Sequence, residues 1–214
     1  IADYTKAIEI DPRDATAYYN RGGAKKNLGD LKSAIEDYSK AIEIDPNDAR
    51  AYHNRGHAKY GLGDREGAIL DYNKTIAINP NIAPTYYNRG LAIQNSGDPR
   101  GALDDYTKAI EIYPKYELAY INRGVAKYCL EDYKGAIDDW SNAIKINPNR
   151  AVLYNKRGVA KQKSGDLQGA IDDYSKSIEL DHLEPITYRN RGRAKAELGD
   201  LDGAYSDFKL ASDL

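Results

Sequence analysis

An alanine and an aromatic side chain recur one helical turn apart along this chain. Ala34, Ala68, Ala102, Ala136, Ala170 and Ala204 are each followed four residues later by Tyr38, Tyr72, Tyr106, Trp140, Tyr174 and Phe208. Ile44, Ile78, Ile112, Ile146, Leu180 and Leu214 complete the same apolar stripe. Residues three and four apart share one face of a helix, so this spacing predicts an amphipathic helix in which small alanines permit close approach. A second series precedes it. Tyr18, Tyr52, Tyr86, Tyr120, Tyr154 and Tyr188 stand one turn before Gly22, Gly56, Gly90, Gly124, Gly158 and Gly192, which predicts a companion helix with its tyrosine and glycine on one face. Such regular placement marks these aromatics as core rather than as a recognition ladder.

The punctuation agrees with two helices per unit. Gly-Asp steps at Gly29-Asp30, Gly63-Asp64, Gly97-Asp98, Gly165-Asp166 and Gly199-Asp200 separate the first helix from the second, with Glu131-Asp132 as the exception. Glycine accepts the left-handed conformation that ends a helix, and the aspartate caps the next one. Pro99 is expected at the first helical position, where the missing N–H costs nothing. Pro12, Pro46, Pro80, Pro114 and Pro148 follow the second helices and stop them. At one junction His182 stands where proline is due and Pro185 comes three residues later, so the helix before it is expected to end later or less sharply.

The triad Asn-Arg-Gly, with Lys156 replacing the asparagine once, returns every 34 residues. A fixed period of that length indicates stacked helix–turn–helix repeats. On Tyr18, Gly22, Gly29, Ala34, Tyr38, Ala41 and Pro46, with equivalents in five further units, the chain resembles the tetratricopeptide repeat family. The resemblance divides the sequence into a truncated unit at 1–14 and units at 15–48, 49–82, 83–116, 117–150, 151–184 and 185–214. It implies an all-α, right-handed superhelical solenoid of thirteen antiparallel helices and a non-enzymatic protein-interaction scaffold. Some members of that family grip a C-terminal carboxylate with a lysine and asparagine, then an asparagine, then a lysine and arginine. Here Tyr19 and Gly23, Asn54, and Pro84 and Asn88 occupy those places, so that clamp is not expected.

Composition narrows the function further. A net charge of −2 gives no global field for nucleic acid or an acidic membrane. The single cysteine, Cys129, excludes an internal disulfide framework. No run is long and apolar enough for a membrane helix, and a cytoplasmic setting is the expectation. The absence of methionine, with Ile1 entering in mid-unit, reads as a piece of something longer. Asn73-Lys74-Thr75 matches a glycosylation pattern but falls inside a predicted helix.

Helical phase turns Arg21, Arg55, Arg89, Arg123, Arg157 and Arg191 inward, away from the groove. An unpartnered buried guanidinium is costly, and each unit supplies an aspartate before its second-helix aromatic: Asp37, Asp71, Asp105, Asp139, Asp173 and Asp207. A repeated structural Arg–Asp pair is therefore expected in preference to a phosphate-binding ladder.

The opposite face of the first helices is the expected binding groove. Asn20, Asn54, Asn88, Asn122 and Asn190 recur there, each with a donor and an acceptor that can pair with peptide backbone regardless of sequence; the alternative is that asparagine simply fills a polar position. Tyr87, Leu91, Ile121, Val125 and Tyr128 form an apolar strip. Lys26, Arg50, Lys156, Lys163, Arg189 and Arg193 face the single carboxylate of Glu197, which favours an acidic or phosphorylated partner segment. His53 and His57, four apart, have the spacing of a two-histidine metal site, but no third ligand is evident and no cofactor is expected. Two other readings remain: self-association through the chain ends, and service as the targeting module of a larger enzyme.

Overall fold

The glycine–aspartate steps each separate two helices, as the sequence predicts. The computed structural model describes residues 1–214 and contains thirteen helices and no strand. It divides into two parts, residues 1–114 and 115–214. The N-terminal part holds α1 (Ala2–Ile10), α2 (Ala15–Asn27), α3 (Leu31–Ile44), α4 (Ala49–Gly61), α5 (Arg65–Ile78), α6 (Ala83–Asn95) and α7 (Ala102–Ile112). The C-terminal part holds α8 (Glu117–Cys129), α9 (Tyr133–Ile146), α10 (Ala151–Lys163), α11 (Leu167–Leu180), α12 (Pro185–Leu198) and α13 (Leu201–Asp213). Within each part every helix packs against its neighbours in sequence, and successive first helices also touch: α2 with α4, α4 with α6, and α10 with α12. Loops too short for anything but a reversal make each pair antiparallel.

The core is built from alanine and aromatic residues. Ala34, Tyr38, Ala68, Tyr72, Ala102, Tyr106, Ala136, Trp140, Ala170 and Tyr174 are buried. The repeat glycines explain how the aromatics fit. A Cβ at Gly22 would lie 3.0 Å from the Tyr38 ring and 3.2 Å from the Ala34 carbonyl, and one at Gly124 would lie 2.7 Å from Trp140 Nε1. Close packing of the two helices therefore excludes any side chain at these positions.

Several details differ from the sequence expectation. Phe208 is 41% exposed, whereas its five counterparts are buried. Tyr18, Tyr52, Tyr120 and Tyr154 are only half-buried, whereas Tyr86 and Tyr188 are buried. Pro99 does not begin a regular helix: residues 99–101 form a turn and α7 starts at Ala102, although Asp98 Oδ1 still accepts from the Gly101 N–H at 2.8 Å. At the junction without proline, α11 ends at Leu180 with an extended Asp181, in the same place as its siblings. The stop comes from the acidic or amide residue instead. Asp181 Oδ1 accepts from the Leu183 N–H, as Asp45 does from Asn47 and Asn79 from Asn81.

The first-helix ends are sharper. Gly29, Gly63, Gly97, Gly165 and Gly199 have φ between 83° and 94°, and Glu131 is forced into the same left-handed region at 62°.

Candidate functional site

The six motif arginines do pair with the expected aspartates. In each pair the arginine Nε and Nη2 donate to the two carboxylate oxygens, at 2.9 and 2.7 Å for Arg21 and Asp37 and at 2.9 and 2.6 Å for Arg89 and Asp105. Arg55–Asp71, Arg123–Asp139, Arg157–Asp173 and Arg191–Asp207 repeat the geometry. A fork of this kind matches carboxylate shape and is stronger than a single hydrogen bond. Each guanidinium also lies 5.5–5.8 Å from the centroid of the tyrosine one turn before it. These tyrosines, four half-buried and two buried, therefore cover the ion pairs. Burial works to raise the Asp207 carboxyl, but hydrogen bonds and charge from Arg191 and Lys195 outweigh it and hold it below the usual carboxylate value.

Two further contributors were not foreseen from the sequence. Lys25, Lys59, Lys127, Lys161 and Lys195, each one turn after the arginine, bind the same aspartate at 2.8–2.9 Å. Their 34-residue recurrence was the signal that could have found them. The remaining nitrogen, Nη1, reaches back to the preceding second helix: Arg21 to Thr5, Arg55 to Ser39, Arg89 to Asn73, Arg157 to Ser141 and Arg191 to Ser175. Asn73 is thereby engaged and Thr75 is buried, which leaves the glycosylation pattern as a coincidence of helix packing.

The cations on the first-helix face behave differently. In the C-terminal part, Lys163, Asn190 and Arg193 come together with Val159, Gln162, Tyr174 and Glu197 around a hollow of about 410 Å3. Gln162 donates to Glu197 at 2.6 Å and accepts from the Tyr174 hydroxyl at 3.0 Å, fixing one wall. Lys156 does not join them; it lines a separate hollow of about 210 Å3 with Asp181 and Glu184. Arg189 is exposed. In the same part Ile121, Val125 and Tyr128 pack against the cluster around Trp140, so part of the expected apolar strip is shared with the core.

In the N-terminal part, Asn20 and Asn54 line a hollow of about 340 Å3 with Tyr4, Tyr19, Asn27 and Lys26. Asn54 is already organised: its amide donates to the Tyr19 hydroxyl at 3.0 Å and its oxygen accepts from Lys26 Nζ at 2.9 Å. Asn190 makes the corresponding bond to Asn155 at 3.3 Å. Asn88, Tyr87 and Leu91 are half-buried on α6, and Tyr87 lies against Tyr106 with ring centroids 6.1 Å apart. Asn122 on α8 is half-buried and hydrogen-bonded or otherwise partnered.

The structure brings no third ligand to His53 and His57. His53 Nδ1 meets the buried Thr85 hydroxyl at 2.9 Å, and its ring lies 5.7 Å from that of Tyr72. No three His, Cys, Asp or Glu side chains gather where they could hold an ion. Cys129 is exposed. No helix is long and apolar enough to cross a membrane.

Comparison with known families settles what the repeat is. A family model described as TPR repeat matches residues 1–29, 24–63 and 126–165. Models described as tetratricopeptide repeat match 83–116, and 49–82 and 151–181. The chain belongs to the tetratricopeptide repeat family. Its tetratricopeptide pairs also superpose on solved relatives. A MamA protein is 26% identical with a TM-score of 0.75, over 78% of this chain and 92% of that one. YrrB, described as a TPR protein with an unusual peptide-binding site, is 21% identical with a TM-score of 0.77, over 86% and 95%. The pilF protein of Pseudomonas aeruginosa is 19% identical with a TM-score of 0.74, over 92% and 90%. Comparison with curated proteins finds no match. Tetratricopeptide units are in general interaction modules rather than catalytic ones, and the fold places this chain among protein-interaction scaffolds.

Proposed function

We propose that this chain is a non-enzymatic adaptor that holds an extended segment of acidic character from another protein on its first-helix faces. The observation that carries this reading is the contrast between two sets of cations. The motif arginines are closed in bidentate pairs, whereas Lys163 and Arg193 make no ion pair and border an open hollow. An uncommitted cation at a concave surface has its charge available to a partner, which steers association and selects against basic segments. Asn190 adds a donor and an acceptor beside them. In the N-terminal part Asn20 offers the same pairing to peptide backbone, beside an Asn54 held by Tyr19, Arg50 and Lys26, and Tyr87 and Leu91 on α6 offer apolar contact; Ile121, Val125 and Tyr128 do so on α8. The peptide-binding description of YrrB, a relative in fold, agrees with this use of the architecture.

The test uses acidic peptides selected on the intact 214-residue chain. Exchanging both Lys163→Glu and Arg193→Glu is expected to weaken their binding roughly tenfold and to flatten its salt dependence. Unchanged affinity would remove the acidic-segment reading.

One observation favours a second reading, self-association. Leu201, Tyr205 and Phe208 on α13 are 70%, 72% and 41% exposed, on the face that a following helix pair covers elsewhere in the chain. Mass that rises with concentration, and is restored to monomer by Tyr205→Glu, would support that reading over the adaptor.

A further inference from the structure

On α4 of the N-terminal part, His53 and His57 stand one turn apart, and Lys26 reaches over from α2 to hydrogen-bond Asn54 between them at 2.9 Å. Three nitrogen-bearing side chains thus meet on the first-helix face, and the adaptor reading above gives the two histidines no role. The groups facing them carry no negative charge. From α2 comes the Tyr19 hydroxyl, held by Asn54. From α5 comes the Tyr72 ring. From α6 come the Thr85 hydroxyl at His53 and Asn95, which bonds Tyr60 of α4. Of the carboxylates on these elements and their caps, Asp71 is committed to Arg55 and Lys59, Asp48 is committed to Arg50, and Glu66 lies exposed in the first turn of α5.

We propose that Lys26 and His57, with His53 beneath them, form an anion site that receives a carboxylate or phosphate group of a bound segment and takes up a proton as it does so. Lys26 supplies the permanent charge. His57, exposed at the surface, supplies the variable one. Partial desolvation of the ring first, then the positive charge of Lys26, pushes the His57 imidazole below its ordinary value, which favours the neutral form near pH 7 in the free chain. His53 is pushed down to about 4 by burial, then by His57 and Lys26, and its Nδ1 is occupied by Thr85. An arriving anion reverses the local field: it offsets the Lys26 charge and favours imidazolium at His57 over imidazole. Binding therefore draws a proton from solution, and by linkage a fall in pH tightens binding until His57 is protonated without the ligand.

The site rests on the reading that first-helix faces receive a partner, but its test is confined to the N-terminal part. The three imidazoles of the intact chain are titrated by NMR, alone and with hexaglutamate or inorganic phosphate; the exposed His182 is the internal control. His57 is expected to titrate at higher pH with the anion present while His182 stays put. Hexaglutamate should bind about threefold tighter near pH 5.5 than near pH 7.5, a difference lost in His57→Gln and weakened in Lys26→Ala. A response to hexaglutamate alone assigns a carboxylate ligand, and a response to phosphate alone assigns a phosphorylated one. A His57 titration unmoved by both anions, or moved no further than that of His182, overturns the site. That result combined with intact binding at Lys163 and Arg193 would leave the adaptor reading standing, whereas loss of both would end it.

Discussion

Asp105 is held by one cation where its five counterparts are held by two. Ile93 stands where the other pairs place a lysine, and Arg89 alone grips the carboxylate, whose side chain is 6% exposed. Removing one member of a buried pair leaves the other charge desolvated, which is the costly case. Arg89→Ala is expected to destabilise by about 3 kcal/mol. Arg157→Ala, which leaves Lys161 on Asp173, should cost about 1–2 kcal/mol. Urea titration of the two variants tests the ordering, and equal losses would show that the lysine contributes nothing. His53 belongs to the same scale. Its half-buried imidazole is held neutral, so between about pH 6.5 and 4 the unfolded chain binds a proton that the folded chain does not. Stability should fall across that window by on the order of 2–3 kcal/mol, and His53→Asn should remove that portion of the loss. The loss tied to Asp207 lies lower, because a depressed carboxyl keeps its contribution above its unfolded value and gives it up only as pH drops through the folded one. The arginine–aspartate pairing was legible in the sequence because helical phase turns both residues inward. The lysines were not, since a lysine on a polar helix reads equally well as solvated; only the carboxylate in space selects it.

At the scale of the element, helix ends obey local chemistry more closely than the sequence reading allowed. Proline was assigned the task of ending the second helices, yet α11 stops at Leu180 without it, because Asp181 turns the chain with its own side chain. After Asp11, Asp45 and Asn79, proline reinforces a turn that the side chain before it also makes. Pro99 shows the converse, since its cap is intact while the first turn after it stays irregular. The pattern of apolar residues could place both helices but not this difference, which depends on backbone angles within one turn. Glu131 gives the sharpest prediction here. It occupies a left-handed conformation that glycine takes in five other loops. Glu131→Gly should stabilise the chain by about 0.5–1 kcal/mol, the relief of backbone strain exceeding the added freedom of the unfolded chain. A thermal melt no higher than that of the parent would count against strain at this loop.

At the scale of the whole molecule, stability in a repeat array is close to a sum of terms within pairs and between neighbours. Helices covered on both sides should therefore exchange their amide hydrogens most slowly. In the 214-residue chain, α9 and α10 are expected to be better protected than α1, which has no buried residue, and α13, whose Phe208 and Tyr205 lie open. Uniform protection along the chain would indicate a single cooperative unit instead. The proposed binding face was legible only in outline. Periodicity identified which side of the first helices faces outward, but not that Lys156 would part from Lys163 and Arg193, nor that Ile121, Val125 and Tyr128 would lean on Trp140. Those outcomes depend on side-chain reach across helices, which a repeat pattern does not encode.

The third nitrogen of each motif arginine bears on how such a chain can change length. Arg55 uses two nitrogens inside its own helix pair and sends the third back to Ser39; Arg157 and Arg191 do the same with Ser141 and Ser175, and Arg21 and Arg89 with Thr5 and Asn73. These five pairs thus each send a plug to a socket on the helix before them, and the socket accepts serine, threonine or asparagine alike. Excising one whole period would join a plug to a socket it has never met and still make the bond. Gene duplication within such an array creates no new seam to be repaired, so the number of pairs is free to drift while each junction keeps the same chemistry.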